Sequence, residues 1–430
     1  MRRRLAIVLA AAAFVALGQA AGSRADDGTL TFRSASVTVG PYGVRQSTML
    51  IPSPATDGYV TAISADVVDE KGSSEPITHV MLHHIAFAKI GYPDLTCSRF
   101  TDYAGRTYPS IAQRFYAEGE ERTSMELPAG YGYPNSGNDR WAMVFMLMNH
   151  RNDTATVSVQ YTVRYSTEQL LAVKPYWLDV HNCNADPIFN VPGNGPLFST
   201  FSRSSEFVMP ESGTFVAGGA HLHGGGLRLD LTDRTCGGAE LYRSEPTWGL
   251  PLVKPVMHEP GPKHMTTFST AEGMSVSAGD RLRLTATYDN SLPHVRVMGI
   301  SLLYLLPGQV APCQPVPALP ADPLSRPGTP PRIKLPLLRQ PAGPLRNVLG
   351  TFVSDFEYGA QRVLLRRGSA FRWRFAGPSR HDVTLANGPV GFASPSVSSG
   401  TFTYRFTVPG TYRLFCSLHP TTMTQVVTVR

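Results

Sequence analysis

Residues 415–424 read FCSLHPTTMT, and this stretch decides the fold of the C-terminal region. Cys416, His419 and Met423 stand at Cys-x2-His-x3-Met spacing, and His381, in SRHDVTL, lies 35 residues upstream. One thiolate, two imidazoles and a weak thioether are the donor set of a trigonal blue-copper centre, which moves single electrons. Cys416 follows the β-rich run TYRLF, and His419 and Met423 occupy the loop before TQVVTV. A loop that carries three ligands between two strands limits reorganisation when the metal changes oxidation state. An electron carrier fused to a longer chain implies that the rest of the chain consumes electrons.

Outward from that stretch, the whole sequence reads as all-β. Residues 346–430 carry VLLRRGSAFRWRF, GTFTYRFTVPGTYRLF and TQVVTVR, enough for one small sandwich. Upstream, Pro307 to Pro344 holds twelve prolines and little periodicity, the signature of a stiff, extended linker assigned to 313–345. Cys313 lies inside it, so its first part is expected to be pinned to the preceding domain. Residues 28–165 and 166–312 alternate short β-rich runs, such as WAMVFMLM, TVSVQYTVRY and RLRLTATYDN, with Gly, Pro, Asn and Asp clusters. That texture predicts two successive antiparallel, jelly-roll-like β-sandwiches.

The N-terminus sets the compartment. Arg2 to Arg4, an apolar run from Leu5 to Leu17 and small residues up to Ala25 read as a secretory signal peptide spanning 1–25. No later stretch reaches the ~18 apolar residues of a membrane helix. The mature chain is therefore expected to be secreted or periplasmic, with no membrane span. The formal charge of +7 overstates its basicity. Residues 1–25 hold four arginines and no acid, which leaves 35 basic against 32 acidic residues, with no dense basic run. Nucleic acid is not an expected partner. Of five cysteines, Cys416 is taken by the blue site. Cys97, Cys183, Cys236 and Cys313 remain, an even set that predicts two disulfides whose pairing the sequence leaves open.

The histidines upstream of the linker carry the second metal reading. His83 and His84 are adjacent in HVMLHHIAF, His150 ends WAMVFMLMNH, and His221 and His223 flank Leu222 in GGAHLHGGG. Residues at i and i+2 of a strand share a face, so His221 and His223 can chelate one ion. Met298, in VRVMGISLLYL, offers a soft thioether as third donor, a set suited to copper that cycles through Cu(I). His83 and His84 diverge on an ideal strand, so joint ligation requires a bulge there, and His150 would complete a three-histidine site. His79, His181, His258, His264 and His294 lack matching partners and are assigned to the surface or to supporting roles, with His79 and His294 as substitutes.

Residues 346–430 resemble the plastocyanin- and azurin-like cupredoxins. The laccase pattern, in which His flanks the Cys on both sides, is absent, since Phe415 and Ser417 are the neighbours. The order His-His, His, His-x-His, Met over roughly Val37 to Leu306 resembles the copper type II, ascorbate-dependent monooxygenases, the family of peptidylglycine α-hydroxylating and dopamine β-monooxygenases. That resemblance implies an electron-accepting copper at His83, His84 and His150. It implies an oxygen-binding copper with catalytic ligands His221, His223 and Met298, and a disulfide between Cys183 and Cys313. With the blue copper at His381, Cys416, His419 and Met423, about three coppers per chain are expected. The implied reaction is hydroxylation of a C–H bond in a small organic substrate with O2. Electrons come from ascorbate or a redox protein through the fused carrier. Two positions depart from the peptide-amidating branch: Gly219 stands where an arginine anchors the substrate carboxylate, and Leu302 stands where a tyrosine contributes. Peptidylglycine is thus not the expected substrate. The alternative reading is a secreted copper electron-transfer or storage protein on a non-catalytic scaffold of the same shape.

Overall fold

The computed structural model describes residues 28–249, 252–354 and 356–430, so the expected signal peptide lies outside the described residues. The described chain is all-β, as expected, with strands arranged in facing sheets. No helix among the described residues is long and apolar enough to cross a membrane.

In the first sandwich, one sheet is built around Ala155–Ser166 and Gly58–Val68. It faces a second sheet ordered Val44–Ile51, Arg140–Asn149, Val80–Ile90, Ala112–Gly119. Alternation selects the inward faces: Val157, Val159, Tyr161 and Val163 from the first sheet meet Leu82, Ile85, Phe87, Phe145 and Trp141 from the second. Each such buried side chain contributes about 1.5–3 kcal/mol of transfer free energy.

The second sandwich pairs Lys174–Asp179, Gly299–Pro307, Gly213–Leu222 and Phe268–Val276 in one sheet. Its other sheet holds Thr200–Val208, Arg281–Asp289, Gly226–Asp233 and Ala239–Ser244. The run GISLLYLLP is apolar without alternation because its strand is covered on both sides. Leu303 and Leu305 enter this domain's own core, whereas Ile300, Leu302 and Tyr304 join the core of the first sandwich. The two domains therefore share a packed boundary, and the Tyr304 hydroxyl donates across it to the Phe115 carbonyl at 2.7 Å.

The third sandwich has a mixed sheet ordered Leu345–Arg346, Arg362–Leu365, Thr424–Val429, Gly410–Phe415, Thr384–Asn387. The facing sheet is ordered Glu357–Tyr358, Gly350–Ser354, Ala370–His381, Val397–Arg405. Phe371, Trp373 and Phe375 alternate inward along FRWRF, and the Trp373 indole N–H donates to Gln425 at 2.8 Å.

Two disulfides form, Cys97–Cys183 and Cys236–Cys313. The Cys183–Cys313 pairing implied by family resemblance is thus overturned. Cys183 follows the turn after Lys174–Asp179, where the chain returns to the first sandwich through the Thr101–Asn184 bridge, so Cys97 is the thiol it meets. Cys313 is held instead by the turn before Ala239–Ser244, which pins the start of the Pro-rich segment to the second sandwich as expected. Two disulfides fit an oxidising compartment. The rest of the linker lies along the protein. Asp322 accepts from Thr267 N at 2.8 Å and contacts His264 Nε2 at 2.7 Å, and Leu335 and Leu337 are buried.

Candidate metal centres

The C-terminal site is assembled by two strand ends. His381 closes Ala370–His381, and Cys416 follows Gly410–Phe415. His381 Nδ1 and His419 Nδ1 are 3.2 Å apart, and Cys416 Sγ lies 3.6 Å from His419 Nδ1. Nitrogen and sulfur donors bound to one ion at about 2.0 and 2.3 Å with near-tetrahedral angles fall about 3.3–3.5 Å apart. The three side chains can therefore share an ion, and Met423, fully buried, closes the loop through its carbonyl to Cys416 N at 3.1 Å. Burial pushes the Cys416 thiol well up, and Asp382 adds to it. A bound cation reverses that balance and makes the thiolate the stable form. The Asp382 carboxylate fastens the loop by accepting from Ser417 N at 2.8 Å and Ser417 Oγ at 2.6 Å, and its own N–H donates to Cys416 Sγ at 3.4 Å.

The other histidines meet where the first two sandwiches face each other. In Val80–Ile90 the register against Arg140–Asn149 slips between Met146↔His84 and Leu147↔Leu82, so His83 is the extra residue of a bulge. The expected bulge is present. It brings His83 Nδ1 to 3.1 Å from His84 Nδ1, a separation two ligands of one ion adopt. His221 is the penultimate residue of the strand Gly213–Leu222, paired with Ile300, and His223 follows the strand. Ala220 and Leu222 enter the second core, so His221 and His223 face the first sandwich. Ile300 and Met298 belong to that same side, and the Tyr288 hydroxyl donates to the Met298 carbonyl at 2.5 Å while accepting the His223 N–H at 3.0 Å.

The two imidazole pairs lie close together. The rings of His83 and His223 are 5.1 Å apart between centroids, and those of His221 and His223 are 4.9 Å apart. Gly119, paired with His84, makes the approach feasible: a Cβ there would stand 2.7 Å from His221 Cε1 and 2.9 Å from the His83 carbonyl. His150 differs from expectation. Its ring packs on His258, 5.8 Å between centroids, and no ring contact among the described residues joins it to His83 or His84. The reason is local: His150 is already past the strand, with its N–H bound to the His79 carbonyl at 2.9 Å, so it turns toward the 252–263 segment.

Three participants escaped the sequence reading. His258 stands 5.4 Å from His83 between ring centroids, and Glu120 lies 4.0 Å from His83 Nε2 and 3.9 Å from His258 Nδ1. His258 lies outside any strand, so no periodicity marks it. Glu121, buried, accepts from His221 Nδ1 at 2.9 Å; the acidic run EGEE was the only visible signal. Of the two substitutes, His79 pairs with Glu75 at 3.3 Å, and His294 Nδ1 meets Glu259 at 2.6 Å with its Nε2 buried and without a partner.

Electrostatics favour neutral rings. Burial, then neighbouring imidazoles, hold His83 and His223 well below the ordinary value, and burial with His221 and Arg296 lowers His84 to about 3. His221 is the exception: burial opposes its charge, but the Glu121 carboxylate raises it. The Nε2 atoms of His221 and His223 are buried with no hydrogen-bond partner. A buried acceptor left bare is costly, and a metal ion is the partner such nitrogens fit.

The third sandwich docks beside this cluster. Gly391 N donates to the Pro192 carbonyl at 2.8 Å, and Val295 packs into the C-terminal core. Arg296 sits at the junction in a left-handed backbone conformation (φ 57°), donating to the Ser394 carbonyl at 3.1 Å, with Asp382 at 3.8 Å and Asp186 at 3.9 Å.

No protein-family model matches the chain. No curated protein matches it either. Among solved structures, an oxidised amicyanin mutant is 18% identical, with 19% of this chain and 81% of that chain covered and a TM-score of 0.18. A reduced Cu(I) form of another amicyanin mutant is 20% identical over 20% of this chain and 84% of its own, also at 0.18. The purple cupredoxin from Nitrosopumilus maritimus is 21% identical over 19% of this chain and all of its own (100%), at 0.18. Each of these likenesses spans about a fifth of the chain, and each is to a cupredoxin.

Proposed function

We propose that the chain is an exported copper-dependent monooxygenase that hydroxylates a C–H bond of a small organic substrate with O2, with electrons relayed through the fused blue-copper domain. The observation that carries the reading is the pair of bare, buried Nε2 atoms on His221 and His223, on the sheet face that Met298 shares. Copper held by His221, His223 and Met298 would supply oxygen activation, and copper at His83 and His84 would supply the second electron.

The chain's own residues prepare that chemistry. Glu121 holds the His221 Nδ1–H, which fixes the tautomer and directs Nε2 outward. Tyr288 ties the backbones of His223 and Met298 to one hydroxyl. His381, Cys416, His419 and Met423 would hold the carrier's copper, and Arg296 spans the docked domains between it and the histidines. Ascorbate or a redox protein is the proposed external donor.

Replacing Met298 with Ala is the test. Substrate-dependent O2 consumption should disappear, while the blue absorption of the Cys416 site stays. Unchanged turnover in that variant refutes the assignment. A second reading, copper electron transfer or storage without catalysis, is favoured by the ring-to-ring packing of His83 against His223. It predicts bound, redox-active copper and no O2 consumption with any substrate.

A further inference from the structure

We infer that His258, His150 and Met81 form an additional soft-donor site that takes one Cu(I) ion, apart from the His83–His84 and His221–His223 pairs. His258 Nδ1 is 2.5 Å from the Glu259 carbonyl, which can only accept, so the ring proton of neutral His258 is on Nδ1. Nε2 then carries a lone pair, and it lies 2.9 Å from Met81 Sδ, which has no proton to give. Two electron-pair donors thus face each other with nothing between them. A cation satisfies both.

His150 supplies the second, independent observation. It is only 4% exposed, both of its ring nitrogens are buried without a partner, and its ring is 5.8 Å from that of His258. The surroundings are sulfur-rich: Met81 and Met148 pair across neighbouring strands, and Met257, next to His258, packs on both. Met81, Glu120, His150, Met257 and His258 are among the residues that line one small cavity. The Glu120 carboxylate in that lining stays 3.9 Å from His258 Nδ1 and accepts the Gly261 N–H at 2.9 Å. Thioether with neutral imidazole is a donor set that suits Cu(I). An ion held there is one imidazole away from His83.

The site stands independently of the hydroxylase reading, because the test reads a difference in stoichiometry and not turnover. The metal-stripped mature chain is titrated anaerobically with Cu(I) against a chromophoric chelator, beside Met81→Leu and His258→Gln. Wild type should retain one equivalent more than either variant, with the Cu(II)-loaded blue band unchanged in all three. A Zn(II) titration should show no such difference. Met81→Leu conserves core volume, and His258→Gln alters a residue outside the strands, so either variant alone carries the comparison. Equal Cu(I) stoichiometry in all folded proteins overturns the site, and an equal loss of Zn(II) overturns its soft character.

Discussion

At the scale of single residues, the most consequential contact is between His221 and Glu121, 100 positions apart in sequence. A carboxylate behind a ligating imidazole sets the tautomer and raises ligand basicity, and its removal costs roughly 10–100-fold in metal affinity. Glu121→Gln should therefore weaken copper binding at His221 by about that factor while leaving the Cys416 site unaffected, as measured by competition titration with the blue band as internal control. The shared face of His221 and His223 could be read from strand periodicity alone. Glu121 and His258 could not: each reaches the cluster from another domain or from a segment without period, and only tertiary packing brings them in.

Among the structural elements, the bulge at His83 was foreseeable, because two adjacent histidines on a regular strand must diverge. The disulfide partners were not, since four thiols leave the choice to packing. The Pro-rich segment reads as a stiff linker pinned only at its start, yet it is strapped down further along. Asp322 accepts from Thr267 N at 2.8 Å, Leu324 N at 2.9 Å and the Thr267 hydroxyl at 3.1 Å, and it meets His264. Burial works against its charge, but the Thr267 N–H, His264 and the Leu324 N–H hold its carboxyl below the ordinary 3.8. A depressed folded-state value means that the contribution is present above about pH 3.8 and fades as pH falls through the lower folded value. Asp322→Asn should speed proteolytic cleavage within 313–345 several-fold at neutral pH. The gap from wild type should close in digests carried out near pH 3 with an acid-active protease.

For the molecule as a whole, three sandwiches converge on one junction, and Arg296 occupies it. Its strained backbone and its contacts with Ser394, Asp382 and Asp186 link the loop behind Cys416 to the histidine-bearing domains. Arg296→Met should slow electron transfer from the blue site to the histidine cluster by about tenfold or more, in rapid-reduction kinetics, without moving the blue band. Arg296→Lys should restore part of the rate. The Cys97–Cys183 bond closes 86 residues across the first two sandwiches. Cys97→Ser should lower stability by about 2–5 kcal/mol in denaturant titration of the first two domains.

The segment laid down from Cys313 to Leu337, together with the hydrogen bond from Gly391 to Pro192, keeps the Cys416 domain and the histidine-bearing domains in one body. Encounter between separate redox proteins is second order and slows or quickens with ionic strength. In the proposed relay the handover would be unimolecular. Its rate constant should stay flat across dilution and added salt, and only the refilling of the carrier from outside should retain the signature of a collision.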